Sequence, residues 1–406
     1  MEALLLMIAL TAIFGVLVLP ALRRRKERME FQRAAEATEY RPGPQGWSAA
    51  GGQQESGVSL SKEGDADGGG RPEAATGLVS VEELDVRLPG PDPELVAALE
   101  ETQRTQDWRP AGHLLALTDD SELRWQRVLS LAGAAAMELA QWQAERGPEA
   151  AEEAADRVSL GKQEQRRDAG WLRNWRAEEP RDHGGAQVYA QFLVWQAMSD
   201  TGSADSRIIF EEARAVCQEA AKLKPGDPVP HITELFVARG LGYGKPEFEE
   251  VWSRVLQRDN RHMGAHLAAL TYWSEKWHGS RAEADGFAQS AAASAPAGSL
   301  LPALPLFAVH DHLPDVQLSP SMYQGAVIRN AIEAAQYAVG NVRQGHPVEP
   351  HVRHLLLYFL VRAERYAEAV EQVRAVDGYV GAVPWINSEN PAGEYAAYRA
   401  IAVARQ

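Results

Sequence analysis

Phe210-Glu-Glu-Ala213-Arg-Ala-Val-Cys217-Gln-Glu-Ala220-Ala-Lys-Leu223-Lys-Pro225 is the most informative stretch of this 406-residue chain. Phe210, Ala213, Cys217, Ala220 and Leu223 fall at offsets 0, 3, 7, 10 and 13, a single stripe along an α-helix. The small residues in that stripe let a second helix approach closely. Pro225-Gly-Asp-Pro228 then reads as a turn, with Asp227 capping the next helix and Pro228 at its first position. Tyr366, Ala369, Val373 and Val376 repeat offsets 0, 3, 7 and 10, without a closing proline.

Working outward, Asp92-Pro93 predicts a helix to about Gln103. Asp119-Asp-Ser-Glu122 caps a longer one. Its apolar face is Trp125, Val128, Leu129, Ala132, Ala135, Ala136, Leu139 and Trp142, and it is expected to end near Arg146-Gly147. Further helices are predicted over 148–158, 161–177, 183–199 and 207–223. Pairs are predicted at 229–240 with 246–258, and at 261–277 with 281–295. No sustained period-two run argues for strands, and abundant alanine favours helix.

The chain is 45% hydrophobic and 24% charged, enough to bury a core, and its net charge is −15. That negative field repels phosphate backbones, so no nucleic acid partner is expected. The single cysteine, Cys217, excludes an intrachain disulfide and fits a reducing compartment.

Ala3 to Leu22 form an uncharged run of twenty residues. As a helix they span roughly 30 Å, the thickness of a bilayer core. Only Glu2 precedes the run, whereas Arg23, Arg24, Arg25, Lys26 and Arg28 follow it, without a small-residue cleavage site. Residues 1–28 therefore read as an uncleaved single-pass anchor in the cell membrane, with the C-terminal body on the cytoplasmic side. The bland alternative is a buried core helix. Thr11 and Gly15 offer a small-xxx-small pair for another membrane helix. Residues 29–90 read as a disordered linker, polar and glycine-rich at Arg41-Pro-Gly-Pro-Gln-Gly46, Gly51-Gly-Gln-Gln54 and Gly64-Asp-Ala-Asp-Gly-Gly-Gly70. A coil of about 60 residues spans roughly 40–45 Å. An N-terminal helical region over 91–200 and a helical-repeat region over 201–406 complete the expected division.

Few residues suggest chemistry. His262/His266, His310-Asp311-His312 and His351/His354 have spacings at which imidazoles bind zinc or copper. No His-Glu-x-x-His accompanies them and Cys217 has no partner thiol, so surface or capping roles are the bland reading, and no metal or cofactor is assigned. Trp171/Trp175 and Trp273/Trp277 could form aromatic platforms, but four-residue spacing more often marks core. Gly240-Leu-Gly-Tyr-Gly244 follows a helix and precedes Lys245-Pro246, so it reads as a hairpin loop rather than a phosphate loop. Glu149, Glu152, Glu153 and Asp156 suit a helix start. No Gly-x-Ser-x-Gly elbow occurs, and no nucleophile is nominated; the chain is not expected to be an enzyme.

The 210–225 stripe resembles the second helix of a tetratricopeptide repeat, where an aromatic, small residues and a closing proline hold those offsets. His266 to His312 also resembles bacterial helical-repeat proteins of an actinobacterial, membrane-anchored type. That likeness is carried by Tyr272-Trp273, Lys276-Trp277, Gly279-Ser280, Phe287-Ala288, Ala295-Pro296 and Gly298-Ser299, and it implies no known activity. The resemblance implies an all-α fold, a tetratricopeptide-like array of helical hairpins behind a transmembrane helix. It further implies a groove lined by helices near 229–240, 261–277 and 348–362 that binds a protein or peptide. Arg239, His266 and Tyr272 are the candidate partner-binding residues. The expected function is a membrane-tethered interaction scaffold. The alternatives are a metal-dependent enzyme using His262/His266 with His310/His312, and a scaffold that associates with itself.

Overall fold

The computed structural model describes residues 77–156, 168–200, 203–314 and 319–406. The expected anchor over 1–28 and most of the expected linker lie outside the described residues. Among the described residues the protein is all-α, without a strand, and no helix is long and apolar enough to cross a membrane.

Sixteen α-helices follow in order. They are α1 (Pro93–Thr105), α2 (Arg109–Ala116), α3 (Ser121–Asp156), α4 (Gly170–Glu178), α5 (His183–Ser199) and α6 (Ala204–Leu223). Next come α7 (Val229–Leu241), α8 (Lys245–Arg258), α9 (Met263–Tyr272), α10 (Arg281–Ala293) and α11 (Leu304–Asp311). The last are α12 (Pro320–Tyr323), α13 (Ala326–Asn341), α14 (Glu349–Arg362), α15 (Tyr366–Val376) and α16 (Pro391–Ala404). Helix α3 runs through Gly147-Pro148, where two helices were expected.

Sequence neighbours pair through short loops: α5 with α6, α7 with α8, α9 with α10, α14 with α15. Alternate members also touch, α5 with α7, α7 with α9, α9 with α11 and α14 with α16, forming an inner row. The division expected at residue 200 thus falls between the two helices of one hairpin. The stripe read from sequence is the packed face of α6: Phe210, Ala213, Cys217 and Ala220 are all buried. Ala369, Val373 and Val376 do the same on α15. Two apolar clusters meet near α9, one running from Leu88 to Tyr272 and the other from Met263 to Ala402 with Leu84.

The inner row is not open. Its helix N-termini converge on the first two turns of α3. Glu122 accepts the N–H groups of Met263 and Gly264 at the start of α9. Arg124 lies 3.6 Å from Asp227, which accepts the Val229 N–H at the start of α7 and the Gln187 amide of α5. Gln126 donates to the Pro347 carbonyl just before α14, 2.9 Å away. Acidic side chains at these ends satisfy otherwise orphaned N–H groups. Trp125 seals the crossing, 1% exposed against Gly264.

Residues 77–90 correct the linker boundary expected at 90. They form an ordered strap, apolar at Val79, Val81, Leu84, Val86 and Leu88, and this burial offsets their ordering cost. Asp85 pairs in parallel with Tyr379, giving its N–H to the Gly378 carbonyl and accepting from Val380, both at 2.8 Å. Asp377 accepts from the Val79 N–H at 2.8 Å and from the buried Arg399 at 2.9 Å. Replacing Asp377 with Ala removes these two acceptor roles and a third, for the Tyr395 hydroxyl, and losing one partner of a buried pair costs about 3–5 kcal/mol. Hydrogen exchange across 79–88 should then lose its protection; protection equal to the parent's would show that the strap is held elsewhere.

Candidate functional site

The three candidate partner-binding residues are all inside. Arg239, His266 and Tyr272 are 4%, 4% and 1% exposed. They do not line an open groove, and the reason is physical. Eleven of the thirteen residues of α7 and all ten of α9 are buried, because α3 covers one side and the outer helices the other. With apolar residues all round, periodicity could not tell an inner from an outer face. His266 lies edge-on to Trp252, ring centroids 4.8 Å apart. Tyr272 stacks on Phe248 at 3.7 Å and donates to the Tyr243 carbonyl at 2.8 Å.

Arg239 has a different setting, a cavity of about 270 Å³ at the C-terminal end of α7. Its walls are Met198 from α5, Ser206 and Phe210 from α6, Phe236, Arg239 and Gly240 from α7, and Trp277 from the loop after α9. Gly240 is exposed at the rim, and a Cβ there would run into the Phe210 ring. Nη2 of Arg239 points at the Met198 sulfur, 3.5 Å away, a weak acceptor. The guanidinium lies over Trp277 at 4.4 Å and near Phe236 at 5.3 Å. No carboxylate among the described residues pairs with it. Burial alone pushes its pKa down to about 9, so it stays charged at neutral pH. The Trp277 indole N–H is buried without a hydrogen-bond partner.

A second, more polar cleft of about 470 Å³ lies between the strap, α1, α3 and the start of α14. Its cations are already paired: Arg127 with Asp92 and Glu94, Arg343 with Asp120, and Arg353 with Glu349. It therefore offers little free charge to a ligand.

The histidine pairs are spent on the fold. His262 Nδ1 accepts the Ala265 N–H at 3.0 Å as the cap of α9, and its other nitrogen faces the Ser121 carbonyl. His266 Nδ1 and His312 Nδ1 face backbone carbonyls four residues back, at 2.9 and 2.8 Å. His354 bridges the Pro89 carbonyl and the Trp385 indole N–H, both at 3.0 Å. Among the described residues no group of three His, Cys, Asp or Glu side chains is placed to hold a metal ion. Trp171 and Trp175 are wholly buried core, whereas Trp277 of the other pair lines the cavity. The glycine cluster is the loop between α7 and α8, with Gly242 at φ +70° closing α7.

Comparison with known proteins adds no neighbour: no family model, curated protein or solved structure matches this chain.

Of the cavity's residues, sequence reading had singled out Arg239 for partner binding and Phe210 and Trp277 for packing. Met198, Ser206 and Phe236 carried no signal, since each is an ordinary residue of a helix that the fold brings to one place.

Proposed function

We propose that this protein is a non-enzymatic, membrane-tethered adaptor whose tetratricopeptide-like hairpin array holds a protein partner on the cytoplasmic side. The hairpin pairing and the side-by-side inner helices support the array. The observation that carries the reading is the seat of α3. The N-termini of α7, α9 and α14 meet α3 through the Arg124–Asp227 pair, the Glu122 acceptors, the Gln126 amide and the buried Trp125, and the concave side of such arrays is where they receive partner segments. Here the seat is taken by the chain's own α3, so an incoming partner uses neighbouring surface or displaces it. The anchor over residues 1–28 supports the tether through its length and its basic flank.

Crosslinking in intact cells tests this. The full chain should capture proteins that a control carrying residues 1–76 alone does not. The same captured set from both overturns the adaptor reading.

Self-association is the second reading, favoured by the exposed apolar side chains of Met322, Val327 and Tyr337, which are 56%, 70% and 64% exposed. Sedimentation of the full chain separates the two readings, because a self-assembling scaffold grows with concentration and a monomeric adaptor does not.

A further inference from the structure

We propose that the cavity around Arg239 is a binding site for a small amphiphilic carboxylate, its head on the guanidinium and its tail among Met198, Phe210, Phe236 and Trp277. The proposal does not depend on the adaptor reading. It begins from a charge without a counter-charge. A buried cation is normally paired, because an isolated one forfeits its hydration for nothing in return. Arg239 is 4% exposed and, among the described residues, has only a thioether acceptor and two aromatic rings beside it. The rings offset part of the desolvation but accept none of the in-plane N–H groups. Those N–H groups form a planar fork that matches the two oxygens of a carboxylate.

The rest of the cavity narrows the class. The Trp277 ring forms part of the wall, but its indole N–H is sealed from the cavity and adds no donor. The Ser206 hydroxyl already donates to the Ala197 carbonyl at 2.8 Å and adds none. A single cation suits a monoanion. A phosphate, with its greater charge, is typically met by clusters of Arg and Lys. Two phenylalanines, a methionine and an indole make the remaining wall apolar, so the anion should carry an apolar tail. The volume of about 270 Å³ limits that tail to a short chain or a single side chain. A free short-chain acid and the C-terminal residue of a peptide share this chemistry.

The test is calorimetric titration of the full-length chain in nanodiscs. The probes are hexanoate, its neutral counterpart hexanamide, inorganic phosphate, and acetyl-Gly-Gly-Leu with a free or an amidated C-terminus. Hexanoate should bind saturably at one site, and hexanamide and phosphate should not. Binding of the free peptide but not its amide assigns the site to peptide ends as well; binding of hexanoate alone assigns it to free acids. Arg239→Met should weaken hexanoate at least tenfold while leaving the unfolding midpoint no lower, since it removes an unpaired buried charge. Trp277→Leu removes the aromatic wall beneath the guanidinium, and should weaken hexanoate about fivefold. Absence of saturable binding by both carboxylate probes, or equal affinity in the parent and both variants, overturns the proposal.

Discussion

Gly264→Ala destabilises the parent protein but becomes neutral or stabilising once Trp125 is replaced by Ala. Trp125 is 1% exposed and its six-membered ring lies where a Cβ on Gly264 would sit. In the parent, the added methyl forces the indole or the helices apart, an overpacking cost of about 1–3 kcal/mol. Trp125→Ala alone opens a cavity between α3 and α9 and costs about 3–5 kcal/mol. In the double variant the methyl enters that cavity, and alanine is favoured over glycine within a helix by roughly 0.5–1 kcal/mol. The two effects therefore fail to add, as expected for side chains in contact. Urea unfolding of the four proteins measures the cycle. Additive costs would mean that α3 is not seated against α9 as described.

The second large effect is acid sensitivity. Burial pushes His266, His310 and His354 down to about 4, from an ordinary value near 6.5. At pH 7 the folded and unfolded chains both hold these rings neutral, so stability is at its full value. Between pH 6.5 and 4 the unfolded chain takes up protons that the folded chain refuses, and stability falls as pH falls. Each of the two buried rings, His266 and His354, contributes up to ~3 kcal/mol of loss across that window, and the partly exposed His310 contributes less. Glu122 works in the opposite sense: burial pushes it up to about 8, so the folded chain keeps a proton there that the unfolded chain gives up above about 4.5, which offsets part of the fall. His354 is the clearest case: its Nε2–H donates to the Pro89 carbonyl and its Nδ1 accepts from Trp385, leaving no room for a second proton. The urea midpoint should drop steeply from pH 7 to pH 5, and His354→Gln should flatten that drop while lowering the midpoint at pH 7. A midpoint independent of pH over this interval would contradict neutral buried rings.

Much of the helical framework was legible because amphipathic stripes survive in the sequence. Phe210 to Leu223, Tyr366 to Val376 and the face beginning at Trp125 each announced a helix with a side to bury. What escaped had a physical excuse in most cases. Helix α2 is eight residues long and carries Pro110 and Gly112, yet the glycine is there because Trp108 and Trp175 pack against it. Helix α11 is apolar on every side and shows no period. Helix α13 does carry a readable apolar face, from Ile328 to Val339. The site was less legible. Arg239 stands out in the sequence as polar on a helix, but its lack of a partner carboxylate among the described residues depends on four distant positions, Met198, Ser206, Phe210 and Trp277, that the fold brings to it. His266 and Tyr272 were assigned to an open face that α3 and the outer helices had already closed.

The strap carries a mechanical consequence. The first described residues are fastened to Asp85–Tyr379, Asp377 and Arg399, near the far end of the polypeptide. Tension arriving along the chain from its N-terminal side is thus borne first by the last two helices, and is passed to α3 only after that clasp has peeled away.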